Sequence, residues 1–130
     1  MAVTNFDEYR DVFVVADTID DVVHPVTYEL IGQARRIAKE LGQLVQVMLL
    51  GENVQTEAEE LVAHGADIVH VFESPLLKYY TTDGYTKVLT DFFKDHKPNI
   101  LLIGATNNGR DLAPRMSGRM QNGVVADCTI

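Results

Sequence analysis

The stretch Ile100-Leu-Leu-Ile-Gly-Ala-Thr-Asn-Asn-Gly-Arg-Asp-Leu-Ala-Pro-Arg115 decides the fold. Its first four residues, all apolar, have the length and composition of a strand buried on both faces. A polar turn at residues 104–108 follows, and then a helix carrying Arg110 and Arg115. A strand that runs through a glycine turn into a helix is the repeating unit of an α/β sandwich. It also aims backbone N–H groups and the positive end of a helix dipole at one point, the usual starting geometry for an anion or nucleotide site.

Upstream, the same unit recurs. Residues 12–16, Val-Phe-Val-Val-Ala, form an apolar run of strand length that ends in a loop at 17–21. His24-Pro25 marks a boundary, because the residue before a proline avoids the helical region. From Val26 the apolar residues Leu30, Ala34, Ile37, Ala38 and Leu41 recur at helical spacing, and Gly42 supplies a left-handed stop. Residues 44–50 predict a second strand. Thr56 and Glu59 have capping-box spacing and predict the start of a short helix that stops at Gly65. Residues 68–72 predict a third strand. After a loop with Pro75 and Tyr79-Tyr80, Asp83 is expected to cap a helix with Tyr85, Val88, Leu89, Phe92 and Phe93 on its inner face.

Pro98 leads into the strand at 100–103, and residues 124–126 begin a fifth strand, truncated by the end of the sequence. On the last helix Leu112, Ala113, Met116 and Met120 share one arc, and Pro114 is expected to kink it or to let it become regular only afterwards. Residues 1–11 are polar and expected to fray. The alternation predicts one α/β domain over residues 1–130, a three-layer α/β/α sandwich. Its mainly parallel sheet of about five strands would run in the order 3-2-1-4-5. Because the sequence stops as the fifth strand gets under way, a longer polypeptide is expected.

Bulk properties restrict the function. The net charge of −8 argues against nonspecific nucleic-acid binding, which needs phosphates neutralised. The charge is uneven. Residues 98–130 hold three arginines against two aspartates, net +1, leaving −9 on residues 1–97. A modestly basic end on an acidic body suits a docking face for an acidic partner. One cysteine, Cys128, excludes an intrachain disulfide and fits a reducing compartment. No apolar run approaches the ~20 residues of a membrane-spanning helix, and no signal-peptide pattern opens the chain. The expected location is the cytoplasm, or a mitochondrial matrix.

Gly104 and Gly109 have the spacing of a phosphate-binding P-loop, but that loop continues with Lys and Ser or Thr, whereas this chain has Arg110 and Asp111. An aspartate there would oppose phosphate oxygens, so a P-loop is excluded. No Gly-x-Gly-x-x-Gly follows a strand, which leaves a Rossmann dinucleotide site unsupported. A nucleotide could still occupy the crevice between the 17–21 loop and the 104–108 turn. There Asp17, Asp20 and Asp21 are expected to crowd an anion, with Arg110 opposite. Arg115 and Arg119 form a like-charge i,i+4 pair, and Asp111 stands four residues before Arg115. They make either a solvated edge or a contact to a partner carboxylate.

His24, His64, His70 and His96 lack metal-ligand spacing. Nothing local pairs Cys128 with a histidine. Tyr79, Tyr80 and Tyr85 could stack on a flat cofactor, but aromatics at a helix start are more often core contacts. No acid–base constellation stands out, and the hydrolase motif Gly-x-Ser-x-Gly is absent.

The residues Gly104-Ala-Thr-x-x-Gly-Arg-Asp-Leu-Ala-Pro-Arg115, followed by Gly123-Val-Val-Ala-Asp-Cys-Thr129, resemble the N-terminal domain of the electron-transfer flavoprotein alpha subunit. Residues 29–42 and Leu77-Lys-Tyr-Tyr80 with Tyr85 fit the same pattern, so the resemblance covers nearly the whole chain. It implies an adenine-nucleotide-alpha-hydrolase-like sheet and a heterodimer with a beta subunit. It also implies FAD bound mainly by an alpha C-terminal domain that lies beyond these residues.

In that family FAD accepts electrons from dehydrogenases; in bifurcating relatives a second FAD in the beta subunit takes electrons from NADH. The beta subunit's equivalent domain holds AMP or FAD, and the alpha domain resembles a copy without it. The resemblance therefore implies a scaffold or docking domain of an electron carrier, with no catalytic, cofactor-binding or metal residue of its own. Gly104, Thr106, Gly109, Arg110, Asp111 and Arg115 are its interface or positioning candidates. The alternative is a free-standing nucleotide-binding module like the universal stress proteins. Those resemble one another in a shorter gap between the first two glycines of the motif after the fourth strand than the four residues found here.

Overall fold

The computed structural model describes residues 10–119 and the backbone of 124–128. The elements in chain order are β1 (Val12–Val15), β2 (Thr18–Ile19), β3 (Val22–Val23), α1 (Val26–Leu41), β4 (Val45–Gly51), α2 (Gln55–Ala63) and β5 (Ile68–Glu73). A 3-10 turn (Pro75–Leu77), α3 (Thr82–Asp95), β6 (Ile100–Gly104), α4 (Asn107–Arg119) and β7 (Val124–Cys128) complete them. Five strands form one sheet in the order β5-β4-β1-β6-β7, with every pairing parallel. This is the expected 3-2-1-4-5 order. The order reverses beside β1, which lies between β4 and β6, and crevices for ligands form at such reversals.

Side chains of the inner strands alternate between two cores, as a pleated strand requires. Val12, Val14, Val45, Val47, Leu49 and Leu102 pack with Leu30, Ile31, Ala34 and Leu61 of α1 and α2. Phe13, Val15, Met48, Leu50, Leu101 and Ile103 pack with Tyr85, Leu89, Phe93, Leu112 and Met116 of α3 and α4. The result is a three-layer α/β/α sandwich. Each fully buried Leu or Ile contributes roughly 1.5–3 kcal/mol, so the two faces hold the sheet far more firmly than any surface ion pair. Val88 and Phe92 are only half-buried against the second core, and Thr86 is buried beside them. Met120 lies outside the described residues.

Several local expectations are corrected. Residues 17–21 are not a simple loop, because β2 and β3 form a short antiparallel hairpin pairing Thr18 with Val23 and Ile19 with Val22. Its turn is Asp20-Asp21, with φ of 52° and 63°. That is the type I′ pattern usually written Asn-Gly; aspartate tolerates it better than most residues, and the missing glycine hid the hairpin. The Thr56–Glu59 capping box does not form: α2 begins at Gln55 without a side-chain cap of its own. Glu73 at the end of β5 accepts from Val54 N–H (3.0 Å) and from Gln55 Nε2 (2.8 Å) instead, so the cap comes from a neighbouring strand. These bonds, the Val54 amide first, hold the Glu73 carboxyl below its usual range.

Thr81, not Asp83, caps α3, accepting from Gly84 N–H at 3.2 Å. Asp11 does not fray. Its carboxylate accepts from Leu44 N–H (2.9 Å) and Gln46 Nε2 (2.7 Å), which holds the start of β1 against β4. The expectation for residues 1–9 lies outside the described residues. Finally, α4 is helical from Asn107, well before Pro114, and continues through it to Arg119.

Candidate functional site

The crevice at the β1/β6 reversal is a cavity of about 620 Å³. Its walls include Asp17 and Ile19 after β1, His24 and Glu29 at the start of α1, and Thr106, Asn108 and Arg110 at the start of α4. The sequence placed the crevice correctly but misassigned its charges. Only Asp17 of the three aspartates lines it. Asp21 accepts from the amides of Glu52 (2.9 Å) and Asn53 (3.1 Å), and Asp20 lies 3.6 Å from Lys78 Nζ. Both are committed to the turn after β4 and to the 3-10 segment.

Thr106 ties the two walls together. Its hydroxyl donates to Asp17 Oδ2 and accepts from Gly109 N–H at 3.1 Å, making it the N-cap of α4. Arg110 N–H donates to the Thr106 carbonyl at 2.8 Å. Of the amides that open α4, that of Gly109 is satisfied by the Thr106 hydroxyl, the Arg110 bond is the first regular bond of the helix, and the Asp17 carboxylate stands beside Thr106.

The glycines have a packing role. A Cβ on Gly109 would lie 1.7 Å from the Gly104 carbonyl oxygen, and one on Gly104 would lie 3.1 Å from Val26 Cγ1. Absence of side chains lets α4 sit directly on the end of β6 and lets α1 close over it. The gap at Gly109 is filled by protein backbone. The Asp17 and Glu29 carboxylates on the walls of this crevice oppose an anionic ligand, and Arg110 favours one.

The remaining candidates divide by the side of α4 on which they stand. Asp111 accepts from Tyr80 Oη at 2.8 Å and from the Thr82 hydroxyl. These bonds, that of Thr82 first, hold its carboxyl below the usual range. Partial burial, reinforced by Asp111, pushes the Tyr80 phenol up to about 12. Arg115 lies 3.2 Å from Asp83 of α3. The carboxylate it meets is thus within its own chain; Asp111 bonds α4 to the start of α3, and Arg115 adds an exposed ion pair there. Arg110 stands apart: it is exposed at the crevice, with no side-chain partner among the described residues.

The tyrosines are mostly structural. Tyr85 is buried, with its hydroxyl 3.0 Å from that of Thr18, and stacks edge-on with Tyr80. Tyr79 is exposed. His70 is half-buried on β5, 2.6 Å from Gln46 Oε1; burial first and the nearby His96 second lower its pKa. Sequence reasoning missed this Asp11–Gln46–His70 chain, since its members are far apart in the sequence. No group of three or more metal-ligating side chains occurs among the described residues, and the Cys128 side chain is not among them.

Comparison with known proteins follows the geometry. The chain is 45% identical over 122 residues to the electron transfer flavoprotein subunit alpha of Megasphaera elsdenii, covering 94% of this chain and 36% of that protein. It is 46% identical over 122 residues to the lactate dehydrogenase (NAD(+),ferredoxin) subunit LctC of Acetobacterium woodii, covering 94% and 29%. The chain thus spans about a third of the length of these relatives, matching the N-terminal part. A macrolide-efflux protein from Streptococcus pneumoniae superposes with a TM-score of 0.59 over 92% of this chain and 46% of that one. At 17% identity that likeness concerns the fold alone. Residues 12–130 match the electron transfer flavoprotein domain, and the chain belongs to that family.

Proposed function

We propose that this chain is the N-terminal docking domain of an electron transfer flavoprotein alpha subunit, a single α/β domain over residues 1–130 of a longer polypeptide. It would pair with a beta subunit in a cytoplasmic heterodimer that carries electrons away from dehydrogenases. FAD, held elsewhere in that complex, would supply the electron chemistry. The chain itself would act as an electron-carrier scaffold and not as a catalyst.

The observation that carries this reading is the Asp17–Thr106 bridge with Gly109 pressed on Gly104. The sheet has a crevice at its reversal, and the Asp17 carboxylate bonded to Thr106 beside it supports the reading that the cofactor is held elsewhere. Arg110, Asp111 and Arg115 then serve positioning and contact. A role in electron bifurcation is supported by the relative whose name joins NAD(+) and ferredoxin.

The experiment is to mix the chain with the beta subunit encoded in the same organism and follow sedimentation and flavin absorbance. A one-to-one complex, with the chain alone colourless after FAD exposure, is expected. A chain that ignores the beta subunit but retains flavin by itself would contradict the proposal.

A further inference from the structure

Thr86 and Thr90 stand one turn apart on α3. A threonine inside a helix ordinarily donates its hydroxyl to a carbonyl of the preceding turn. Neither of these does, and neither finds any other hydrogen-bond partner, although both hydroxyl oxygens are buried. Thr86 as a whole is only 3% exposed. A buried hydroxyl without a partner is costly, so two on one stripe of a helix call for an explanation. Both line the same cavity, of about 340 Å³, between α3 and the last turn of α4. It lies away from the crevice, whose walls are the β2–β3 hairpin and the starts of α1 and α4.

The rim of this cavity is cationic, on a chain whose net charge is −8. Lys87, Lys94 and Arg119 stand on it against Asp83 and Asp91. Both carboxylates oppose an anion, but both are engaged. Asp83 is 3.2 Å from Arg115, and Asp91 is 3.1 Å from Lys87 and 3.5 Å from Lys94. Of the like-charge pair on α4, Arg115 is thus used inside the chain, whereas Arg119 meets no side chain among the described residues. An unpaired guanidinium and two spare hydroxyl donors face one space.

We propose that Thr86, Thr90 and Arg119, with Lys87 and Lys94 at the mouth, bind a phosphoryl group, either inorganic phosphate or the phosphate of a small monoester. Cβ atoms one helical turn apart are about 5–6 Å from each other, a span that the oxygens of one tetrahedral anion bridge. Each hydroxyl reaches its oxygen by turning into the second rotamer open to a helical threonine. The guanidinium takes the remaining oxygens as a bidentate pair. The volume leaves room beside the phosphate for a small organic group. This site is independent of the heterodimer reading.

The test is calorimetric titration of the chain, in buffer free of phosphate and sulfate, with inorganic phosphate, glycerol phosphate and acetate. Saturable binding of a phosphate at or below about 1 mM is expected, with none of acetate, and the tighter of the two phosphates identifies the source. Arg119→Gln alters an exposed side chain and should weaken that binding at least about tenfold. Thr86→Val/Thr90→Val should do the same. It should also raise the melting temperature of the ligand-free chain, because a methyl replaces each orphaned hydroxyl. Arg110→Gln, in the crevice, should bind as the wild type does.

No saturable phosphate binding by the wild type overturns the proposal, and so does equal binding of acetate. Binding that Arg119→Gln and the valine variant both keep overturns it as well. Loss of binding in Arg110→Gln instead moves the anion to the crevice. A lower melting temperature in the valine variant shows the hydroxyls bonded within the helix, and either result contradicts the site.

Discussion

Gly109 and the Gly104 carbonyl are in contact so close that a Cβ on Gly109 would sit 1.7 Å from that oxygen. Gly109→Ala must therefore push α4 off the end of β6. Overpacking typically costs about 1–3 kcal/mol, and here the obstacle is backbone and cannot rotate away. Even after the ~1 kcal/mol that alanine normally gains in a helix, a net loss of about 2 kcal/mol is expected. Gly32, exposed on α1 with nothing within 4 Å of an added Cβ, is the control. Gly32→Ala should stabilise by about 0.5–1 kcal/mol. Urea midpoints of the two variants should move in opposite directions.

Thr106 joins Asp17 to the start of α4, so its hydroxyl matters twice. Thr106→Val should lose about 1 kcal/mol for the cap and a similar amount for the half-buried carboxylate left without its donor. Thr106→Ser keeps both bonds and should lie within a few tenths of a kcal/mol of wild type. If valine and serine melt alike, the bridge contributes nothing.

Asp111 and Tyr80 give opposite pH signatures. The Asp111 carboxyl is depressed in the folded state, chiefly by Thr82 and then Tyr80. Its contribution is present above the unfolded carboxyl pKa and is lost as pH falls through the lower folded value. The stability gap between wild type and Asp111→Asn should therefore narrow in acid. The Tyr80 phenol is raised to about 12, first by burial. Its contribution is complete below the unfolded phenol pKa and disappears as pH rises towards the folded value. Tyr80→Phe should flatten the alkaline decline, as followed by denaturant titration at each pH.

His70 has a lowered pKa, from burial first and His96 second. It faces Gln46 from β4 and the Phe13, Phe92 and His96 rings, and Gln46 is in turn bonded to Asp11. A depressed base stabilises above its unfolded pKa, and that contribution is lost as pH falls through the folded one. Melting temperatures of wild type should drop between neutral pH and mild acid more steeply than those of His70→Asn. Parallel curves would remove His70 from the acid response.

The sheet order was legible because each buried strand is a short apolar run and each helix has its own period. The 100–115 stretch further identified the family through residues that turn out to pack and to lock: Gly109 on Gly104, Asp111 on Tyr80 and Thr82, Arg115 on Asp83. Contacts between distant segments were hidden. Glu73 capping α2, the Asp11–Gln46–His70 chain and the inward bond of Thr106 to Asp17 have no local signal. The Asp20-Asp21 turn lacked the glycine that advertises a hairpin, and the charges of Asp20 and Asp21 were consequently assigned to the crevice they leave.

The proposed division of labour puts FAD elsewhere in the complex and leaves this crevice without it. Fluorescence titration of FAD with the chain alone tests it most directly. The expected result is a flavin signal that does not saturate as the chain is added at micromolar concentration. Saturable one-to-one quenching in that range would contradict the account, and would mean that the Asp17–Thr106 bridge opens to admit the cofactor.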